Sequence, residues 1–138
     1  MREIDDISGI VVDAAMKLHI DLGPGLLESV YENLLASMLA SRGLKVDRQK
    51  PIDIEYEGAR FIAAFRIDLV VDDRLLVEIK SVEKLSPVHA KQLLTYLRLT
   101  HRPVGLLLNF GAATLKEGLK RVVNDYRPSA SPRLRVNQ

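Results

Sequence analysis

The sequence predicts an α/β (α+β) fold in which helices flank a mixed four-stranded sheet, in the order α-α-β-β-β-α-β-α. Three observations carry this prediction. Apolar residues recur at helical spacing in the first third of the chain, they alternate in three consecutive segments after it, and residues 104–108 are continuously apolar. With 138 residues, 47% of them hydrophobic and 28% charged, the chain has the composition of one globular domain.

The first two segments are predicted to be amphipathic helices. Residues 5–20 carry apolar residues at helical spacing, and the Gly-Pro-Gly run at residues 23–25 follows their end. Residues 26–42 form the second helix, and Gly43 suits the position just after it. The apolar stripes are Ile7, Ile10, Val11, Ala14, Ala15 and Leu18 in the first helix and Leu27, Val30, Tyr31, Leu34, Leu35, Met38 and Leu39 in the second.

The period of the pattern then changes to two, which is typical of strands. Gly58 and residues 72–73 mark turns between three alternating segments, and consecutive strands joined by such short turns are antiparallel. The residues on one face are Ile52, Ile54 and Tyr56, then Phe61, Ala63, Phe65, Ile67 and Leu69, then Leu75, Val77 and Ile79.

The last third of the chain is predicted to form a helix, a strand and a final helix. Ser86 and Pro87 are a favourable N-cap and first residue for a helix that runs to about residue 100. Residues 104–108 suit a strand that is buried on both faces. Residues 114–124 are predicted to form the last helix, whose core-facing residues are Leu115, Leu119, Val122 and Val123.

Composition excludes several classes of protein. The chain contains no cysteine, which rules out disulfides, cysteine-ligated metal clusters and thiol catalysis. No apolar run approaches the roughly 18 residues of a membrane span, so no membrane partner is expected. The acidic start lacks the basic-then-apolar order of a signal peptide, and we therefore expect a cytoplasmic protein.

The formal net charge of +2 is unevenly distributed. Residues 1–30 are net acidic, whereas residues 116–138 are net basic. One interpretation of this positive charge is that it attracts phosphates. The alternative interpretation is a solvated helix face followed by a loose tail. We expect one domain over residues 1–126 and a flexible basic C-terminal tail over residues 127–138, where two prolines interrupt any helix.

Three charged residues on the predicted strands do not fit a simple core. Glu78 and Lys80 lie two apart on one strand and share a face, and Asp68 lies on the polar face of the preceding strand. Two opposed carboxylates are unfavourable unless a hard divalent cation such as Mg²⁺ lies between them. Lys80 would then hold or help to deprotonate water. The alternative is an ordinary strand face on which Lys80 pairs with one of the carboxylates.

The turn between these two strands decides whether the carboxylates meet. A two-residue turn at residues 72–73 would oppose Asp68 to Val77. Asp68 and Glu78 would then lie on opposite faces of the sheet. A site therefore requires a loop of odd length, such as residues 72–74, or a bulge, and we predict that irregularity.

Further polar residues lie on the predicted helices. Glu28 falls within the apolar stripe of the second helix, where it is either a first-turn glutamate favoured by the helix dipole or a further carboxylate aimed at the site. His89, Gln92 and Tyr96 share one face of the third helix. They form either the edge of an amphipathic helix or a set of groups that bind phosphate or brace a carboxylate.

Residues 25–31, Gly-Leu-Leu-Glu-Ser-Val-Tyr, carry the first of three motifs that resemble a known family. They match the G-x-x-E-x-x-Y signature of the GxxExxY protein family, whose fixed positions are Gly25, Glu28 and Tyr31 in this chain. That family is usually placed in the PD-(D/E)XK nuclease superfamily.

Two further motifs resemble the superfamily itself. Asp68 followed by residues 78–80, Glu-Ile-Lys, is similar to its D…E-x-K motif, although Ile67 stands where the superfamily name has proline. Residues 92–96, Gln-Leu-Leu-Thr-Tyr, are similar to the Q-x-x-x-Y motif of its RecB-like branch. The resemblance extends over roughly residues 4–124.

The resemblance implies a restriction-endonuclease-like core and hydrolysis of phosphodiester bonds that depends on Mg²⁺ or Mn²⁺. It implies that Asp68, Glu78 and the backbone carbonyl of Ile79 hold the metal. Glu28 would be an added acidic ligand, and Lys80 would orient the attacking water. The residues predicted to support the site or contact the substrate are Gln92, Tyr96, Tyr31, Gly25, Arg66 and His89.

These observations lead to one main hypothesis and two alternatives. The main one is a small metal-dependent nuclease with little sequence specificity that acts on nucleic acid, with DNA favoured over RNA. The second is a nuclease-fold binding or assembly module without hydrolytic activity. The third is another phosphate chemistry at residues 23–25, before a helix N-terminus. Arg66, Lys84 and Lys91 supply local positive charge, and a homodimer or a protein partner is left open as a way to complete the substrate groove.

Overall fold

A five-stranded mixed sheet with helices on both faces forms the fold, as a computed structural model of residues 2–125 shows. The fold class is therefore the α/β class expected from the sequence, with one more strand than predicted. In chain order the elements are α1 (Ile4–Leu22), α2 (Glu28–Ser41), β1 (Val46–Tyr56), β2 (Ala59–Val71), β3 (Leu75–Lys80), α3 (Pro87–Thr100), β4 (Val104–Asn109), α4 (Leu115–Gly118) and β5 (Leu119–Val123).

The strands lie side by side in sequence order. β1, β2 and β3 pair antiparallel, β3 and β4 pair parallel, and β4 and β5 pair antiparallel. The parallel pair needs a crossover connection, which α3 provides. The predicted series of three antiparallel strands, followed by a helix and a buried strand, is confirmed.

Two hydrophobic clusters lie on opposite faces of the sheet. α1 and α2 cover one face, where their apolar stripes meet alternate residues of β2, β3 and β4. α3 covers the other face through Leu93 and Leu97, which pack on Leu76 and Leu107. Because β3 and β4 are covered on both sides, their sequences are apolar at nearly every position, and the few polar residues in them need a specific explanation.

The predicted final helix over residues 114–124 is wrong beyond its first turn. α4 ends at Gly118, and the residues after it pair with β4 as a fifth strand. This pairing satisfies N–H and C=O groups that β4 would otherwise expose as an edge strand, and two adjacent valines favour it. A Cβ atom on Gly118 would lie 2.2 Å from the carbonyl oxygen of Asn109, so the chain passes β4 more closely than any larger residue allows.

The hairpin formed by β1 and β2 is longer than the alternating pattern indicates. β1 begins at Val46 rather than near residue 52, because Gln49 (φ +48°) interrupts the regular alternation. A second irregularity, between Ile52 and Ile54, includes Ala63 in the opposite strand (φ +49°). The register of the β1–β2 pair is unchanged across Gln49 and shifts only at the second irregularity.

The part of the chain that the structure describes contains no helix with the length and apolar content needed to cross a lipid bilayer. The predicted tail, residues 127–138, lies outside that part. The domain boundary at residue 126 and the cytoplasmic location stay predictions.

Candidate active site

A three-residue loop, residues 72–74, joins β2 to β3. The pairing of Leu69 with Val77 sets a register that opposes Asp68 to Glu78 at the next position. The predicted loop of odd length is therefore confirmed, and it places the two carboxylates on the same face of the sheet.

The two carboxylates bind backbone groups at the point where β2 and β3 separate. Oε1 of Glu78 accepts a hydrogen bond from the Asp68 N–H at 3.1 Å, and Oδ2 of Asp68 accepts one from the Ile79 N–H at 2.8 Å. The N–H and C=O groups of one strand residue point to the same side of the strand. The Ile79 carbonyl therefore faces the same gap as the Asp68 carboxylate.

Both carboxyl groups in this gap have raised pKa values. Burial, together with the charge of Asp68, raises the pKa of Glu78 to about 8, and only 8% of this residue is exposed. Burial also raises the pKa of Asp68; the hydrogen bond from Ile79 opposes this shift, and the charge of Glu32 adds to it. Burial is the larger cause of both shifts, and it favours the protonated form of each carboxyl group.

Lys80 lies at the end of β3, on the face that it shares with Glu78. Its positive charge lowers the pKa of both Asp68 and Glu78, so it lies close enough to act on them. Within residues 2–125, however, the Lys80 ammonium forms no ion pair at 4.0 Å or less. This face is therefore not the directly salt-bridged strand surface considered as an alternative.

Three residues that the sequence analysis missed support Asp68 from the opposite side. The amide nitrogen of Gln49 donates to Oε1 of Glu32 at 2.6 Å and to Oδ1 of Asp68 at 3.2 Å. Arg48 forms an ion pair with Oε2 of Glu32 at 2.9 Å, and Glu32 is 5% exposed. Glu32 lies one helical turn after Glu28, and this spacing was the signal that would have found it.

Glu28 adjoins the end of β3 rather than the two strand carboxylates. Its Oε2 accepts a hydrogen bond from the N–H of Ser81, the residue after Lys80, at 3.3 Å. The Ser81 hydroxyl donates in turn to the carbonyl oxygen of Leu26 at 2.7 Å. The loop before α2 is thus attached to the chain immediately beyond Lys80.

Tyr31 holds the loop that carries Glu28. Its buried hydroxyl donates to the carbonyl oxygen of Gly23 and accepts from the N–H of Leu26, while its ring stacks on Phe110 with centroids 4.4 Å apart. Gly25 has a φ of +113°, which only glycine adopts without strain. The G-x-x-E-x-x-Y residues thereby act together to position the Glu28 carboxylate.

Replacing Tyr31 with phenylalanine is expected to lower the free energy of unfolding by about 0.5–1.5 kcal/mol, because the part-buried hydrogen bonds of its hydroxyl with the Gly23 carbonyl and the Leu26 N–H are lost. Urea unfolding measures this change. The Tyr56→Phe variant is the matched control, since Tyr56 is 67% exposed, and it should unfold like the parent. Equal stability of all three proteins would contradict the structural role given to the Tyr31 hydroxyl.

Tyr96 of α3 borders the gap from the side. Its half-buried ring stacks on Phe65 of β2, with centroids 4.1 Å apart. Burial raises the pKa of its hydroxyl, and the charges of Glu78 and Asp68 raise it further. The structure therefore brings Tyr96 within the electrostatic range of the carboxylates.

The other predicted supporting residues have different surroundings. His89 belongs to the N-terminal cap of α3, where its Nδ1 accepts a hydrogen bond from the Ser86 N–H at 3.1 Å. Gln92 lies exposed on α3, and Arg66 lies exposed on β2 opposite Pro51. Their positions leave Gln92 and Arg66 accessible to a bound substrate.

Comparison with known protein families agrees with this arrangement of residues. A family model described as the PD-(D/E)XK nuclease superfamily matches residues 5–122. The chain belongs to the PD-(D/E)XK nuclease superfamily. No curated protein and no solved structure matches the chain. Proteins of this superfamily are typically metal-dependent phosphodiesterases that use divalent ions such as Mg²⁺, so membership indicates a nuclease-type function.

The oxygen atoms around the gap fit a PD-(D/E)XK metal site. Asp68, Glu78 and the Ile79 carbonyl are hard oxygen donors, and Mg²⁺ commonly takes one or two carboxylates and keeps several waters. No group of three or more histidine, aspartate or glutamate side chains among residues 2–125 is arranged to hold a metal ion by side chains alone. The fit therefore rests on two carboxylates and one backbone carbonyl that border the same gap between β2 and β3.

Proposed function

We propose that this protein is a nuclease that hydrolyses phosphodiester bonds with the help of Mg²⁺ or Mn²⁺, and that DNA rather than RNA is its substrate. The observation that carries the proposal is the pairing of Asp68 with Glu78 at the end of β3, with the ammonium of Lys80 beside them and free of a close ion pair within the described residues. Paired carboxylates with an adjacent cationic side chain suit water attack at phosphorus.

Each group in the gap has a role in this proposal. Asp68, Glu78 and the carbonyl of Ile79 hold the metal ion, which when bound supplies Lewis-acid stabilisation of the charge on the phosphoryl oxygens. Lys80 orients the attacking water through its ammonium hydrogen atoms. Glu28, which binds the residue after the end of β3, acts as an added acidic ligand, through water or after a small movement.

A second set of residues keeps these groups in place. Glu32 and Gln49 fix the orientation of the Asp68 carboxylate, and Arg48 neutralises Glu32. Residues that hold a metal ligand by hydrogen bonds commonly tune metal affinity as strongly as a ligand does. Tyr96 and Gln92 of α3 brace the site or the substrate backbone.

The motifs support a narrower placement within the superfamily. We propose that the chain is a GxxExxY protein of the RecB-like branch, because Gly25, Glu28 and Tyr31 form one structural unit next to Lys80 and Tyr96 borders the carboxylates. Contacts to phosphate dominate binding in this proposal and make it weaken steeply with salt.

The two other hypotheses are less well supported. An inactive binding or assembly module gives no role to the pairing of Asp68 with Glu78 beside Lys80. An anion site at residues 23–25 conflicts with the local contacts, because the N–H of Leu26 is already bound by Tyr31 and Glu28 occupies the first turn of α2.

The test is cleavage of labelled single-stranded, duplex and flapped DNA, and of RNA, in Mg²⁺, in Mn²⁺ and in EDTA. We expect metal-dependent cutting of DNA by the parent and none by the Asp68→Asn variant, which loses a ligand charge but keeps the size of the side chain. Asp13→Asn is the control, since Asp13 is exposed on α1 and also loses one negative charge.

The outcomes separate the hypotheses. Cutting that is lost in Asp68→Asn and kept in Asp13→Asn supports the nuclease and identifies its substrate. Cutting of RNA alone would overturn the preference for DNA. If the parent neither cuts any substrate nor binds Mg²⁺ or Mn²⁺ in a calorimetric titration, the inactive module is correct instead.

A further inference from the structure

A cavity of about 790 Å³ opens at the carboxyl ends of the parallel strands β3 and β4. In α/β sheets, ligands bind preferentially at the carboxyl ends of the strands, and cavities of about 300–1,000 Å³ are the usual size of ligand sites. The residues that line it and enter the argument are Glu83, Lys84, Asn109, Gly111, Glu117 and Lys120.

Asn109 brings an amide donor to this cavity. The residue is only 1% exposed, and its Oδ1 accepts hydrogen bonds from the N–H groups of Val82 and Gly111, both at 3.0 Å. These two donors identify the oxygen and therefore also the position of the amide nitrogen. Within residues 2–125, the Nδ2 atom donates to no acceptor. Among the described residues the buried side-chain atoms that lack a partner do not include this nitrogen, so it reaches the surface of the cavity, where a ligand acceptor can bind it.

Two loops that border the cavity are closely packed against each other at Gly111. A Cβ atom on Gly111 would lie 2.3 Å from the carbonyl oxygen of Val82, so the loop after β4 rests directly on the loop after β3. Together with the two hydrogen bonds to Asn109, this contact holds the loops in one arrangement. The cavity is therefore a preformed feature of the fold.

The position of Asn109 links the cavity to the proposed catalytic site. Asn109 is the register partner of Lys80 in the parallel β3–β4 pair, and neighbouring strands lie about 4.8 Å apart. Paired residues in a parallel ladder direct their side chains to the same face of the sheet. A substrate strand that passes Lys80 toward β4 therefore reaches the cavity next.

The charges on the rim indicate what kind of group the cavity accepts. Lys84 and Lys120 are exposed, and neither forms an ion pair within the described residues. Their ammonium groups suit phosphate oxygens. Glu83 and Glu117 also line the cavity and would repel a bare phosphate, but they can accept hydrogen bonds from amino or hydroxyl groups. A nucleotide offers both kinds of group.

We propose that this cavity binds one nucleotide of the substrate strand, directly beside the phosphodiester bond that is cut. Lys84 and Lys120 bind its phosphate, and the Asn109 amide donates to a carbonyl oxygen or ring nitrogen of its base. This inference rests on the proposed nuclease function and specifies which part of the substrate the β4 side of the site recognises.

The test measures binding and turnover separately. A labelled single-stranded oligonucleotide is titrated in EDTA by fluorescence anisotropy, and kcat and KM are measured in Mg²⁺. For the Lys84→Gln/Lys120→Gln double variant we expect Kd and KM to rise by about tenfold, with kcat within about twofold of the parent. The control is Lys116→Gln together with Lys17→Gln, which removes the same charge from exposed lysines outside the cavity lining.

Asn109→Asp tests the base contact directly, because it keeps the Oδ1 acceptor and replaces the amide donor with an oxygen. It should weaken binding of the oligonucleotide by about tenfold or more. Circular dichroism establishes whether the variant folds. If it does not fold, the double lysine variant still tests whether the cavity binds the substrate. A competition experiment distinguishes a nucleotide site from a general phosphate site. A deoxynucleoside monophosphate should displace the oligonucleotide at lower concentration than inorganic phosphate does.

The results distinguish this inference from the function on which it rests. If the parent binds and cuts DNA but the cavity variants match the control in Kd and KM, the inference is overturned and the nuclease stands. Equal competition by inorganic phosphate and by the nucleotide would also overturn it. If the parent neither binds nor cuts any nucleic acid, both the nuclease function and this inference are overturned.

Discussion

Replacing Lys80 with methionine is expected to reduce metal-dependent cleavage of DNA by between about 100-fold and about 10,000-fold. Methionine keeps most of the length of the side chain but cannot donate to water or to a phosphoryl oxygen. The Lys80 side chain provides no hydrogen bond or close ion pair that supports the fold within residues 2–125, so the variant should fold and still bind metal. Single-turnover cleavage measures the loss, and calorimetric titration with Mn²⁺ measures the metal affinity.

The control for this prediction is Lys17→Met. Lys17 is an exposed lysine of α1 whose ion pair with Asp21, at 2.9 Å, is a surface contact of small energy. This variant should cut at the rate of the parent. If Lys80→Met cuts as fast as Lys17→Met, Lys80 is not a catalytic residue; if Lys80→Met loses metal binding as well, its role is to hold the ligands instead.

The Glu78→Gln variant is expected to be more stable than the parent in EDTA at pH 8.5, by about 2 kcal/mol or more. In the folded parent, burial and the charge of Asp68 raise the pKa of Glu78 from 4.5 to about 8. Each unit by which folding raises the pKa of a carboxyl group lowers the free energy of unfolding by about 1.4 kcal/mol at a pH where the group is ionised. Glutamine retains an oxygen that can accept the Asp68 N–H and carries no charge. The variant should also lose metal binding, because one ligand charge is gone.

The raised pKa of Glu78 also predicts how the stability of the parent changes with pH. Between pH 4.5 and about 8 the unfolded chain has lost the Glu78 proton and the folded chain retains it, so the free energy of unfolding of the parent falls as the pH rises through this range. This contribution is absent in Glu78→Gln, and the two proteins should be closest in stability below pH 4.5. Urea unfolding at a series of pH values in EDTA measures both curves.

An exposed glutamate provides the comparison for Glu78. Glu55→Gln removes the same charge from the exposed face of β1 and should leave the pH dependence of the parent unchanged. Adding Mg²⁺ should stabilise the parent and Glu55→Gln but not Glu78→Gln. A parent whose stability does not fall between pH 5 and pH 8 would show that Glu78 is not a buried carboxylate destabilised by the charge of Asp68.

The central residues of the site could be predicted because their relationship is local. Strand alternation alone places Glu78 and Lys80 on one face, and the requirement for an odd loop follows from counting the residues between Asp68 and Glu78. The structure has that loop. Both steps use only the period of a strand and the geometry of one turn.

The support for Asp68 could not be predicted, because it comes from residues that the chain brings together only on folding. Gln49 donates hydrogen bonds to both Glu32 and Asp68 from a left-handed backbone conformation (φ +48°). A glutamine at position 49 does not predict that conformation. Burial of Glu32 depends on α2 packing against the sheet, with Arg48 of β1 close enough to pair with it.

The sequence by itself determined the layered α/β plan, the shared face of the strand carboxylates and Lys80, and the loop register that joins them. Periodicity and turn length are properties of consecutive residues, and they carried that information without tertiary contacts. Tertiary structure alone decided that residues 119–123 form β5, since an apolar segment with adjacent valines suits a helix or a strand until an unpaired edge of β4 is available. It also decided the raised pKa values of Asp68 and Glu78, because burial depends on everything that surrounds a group.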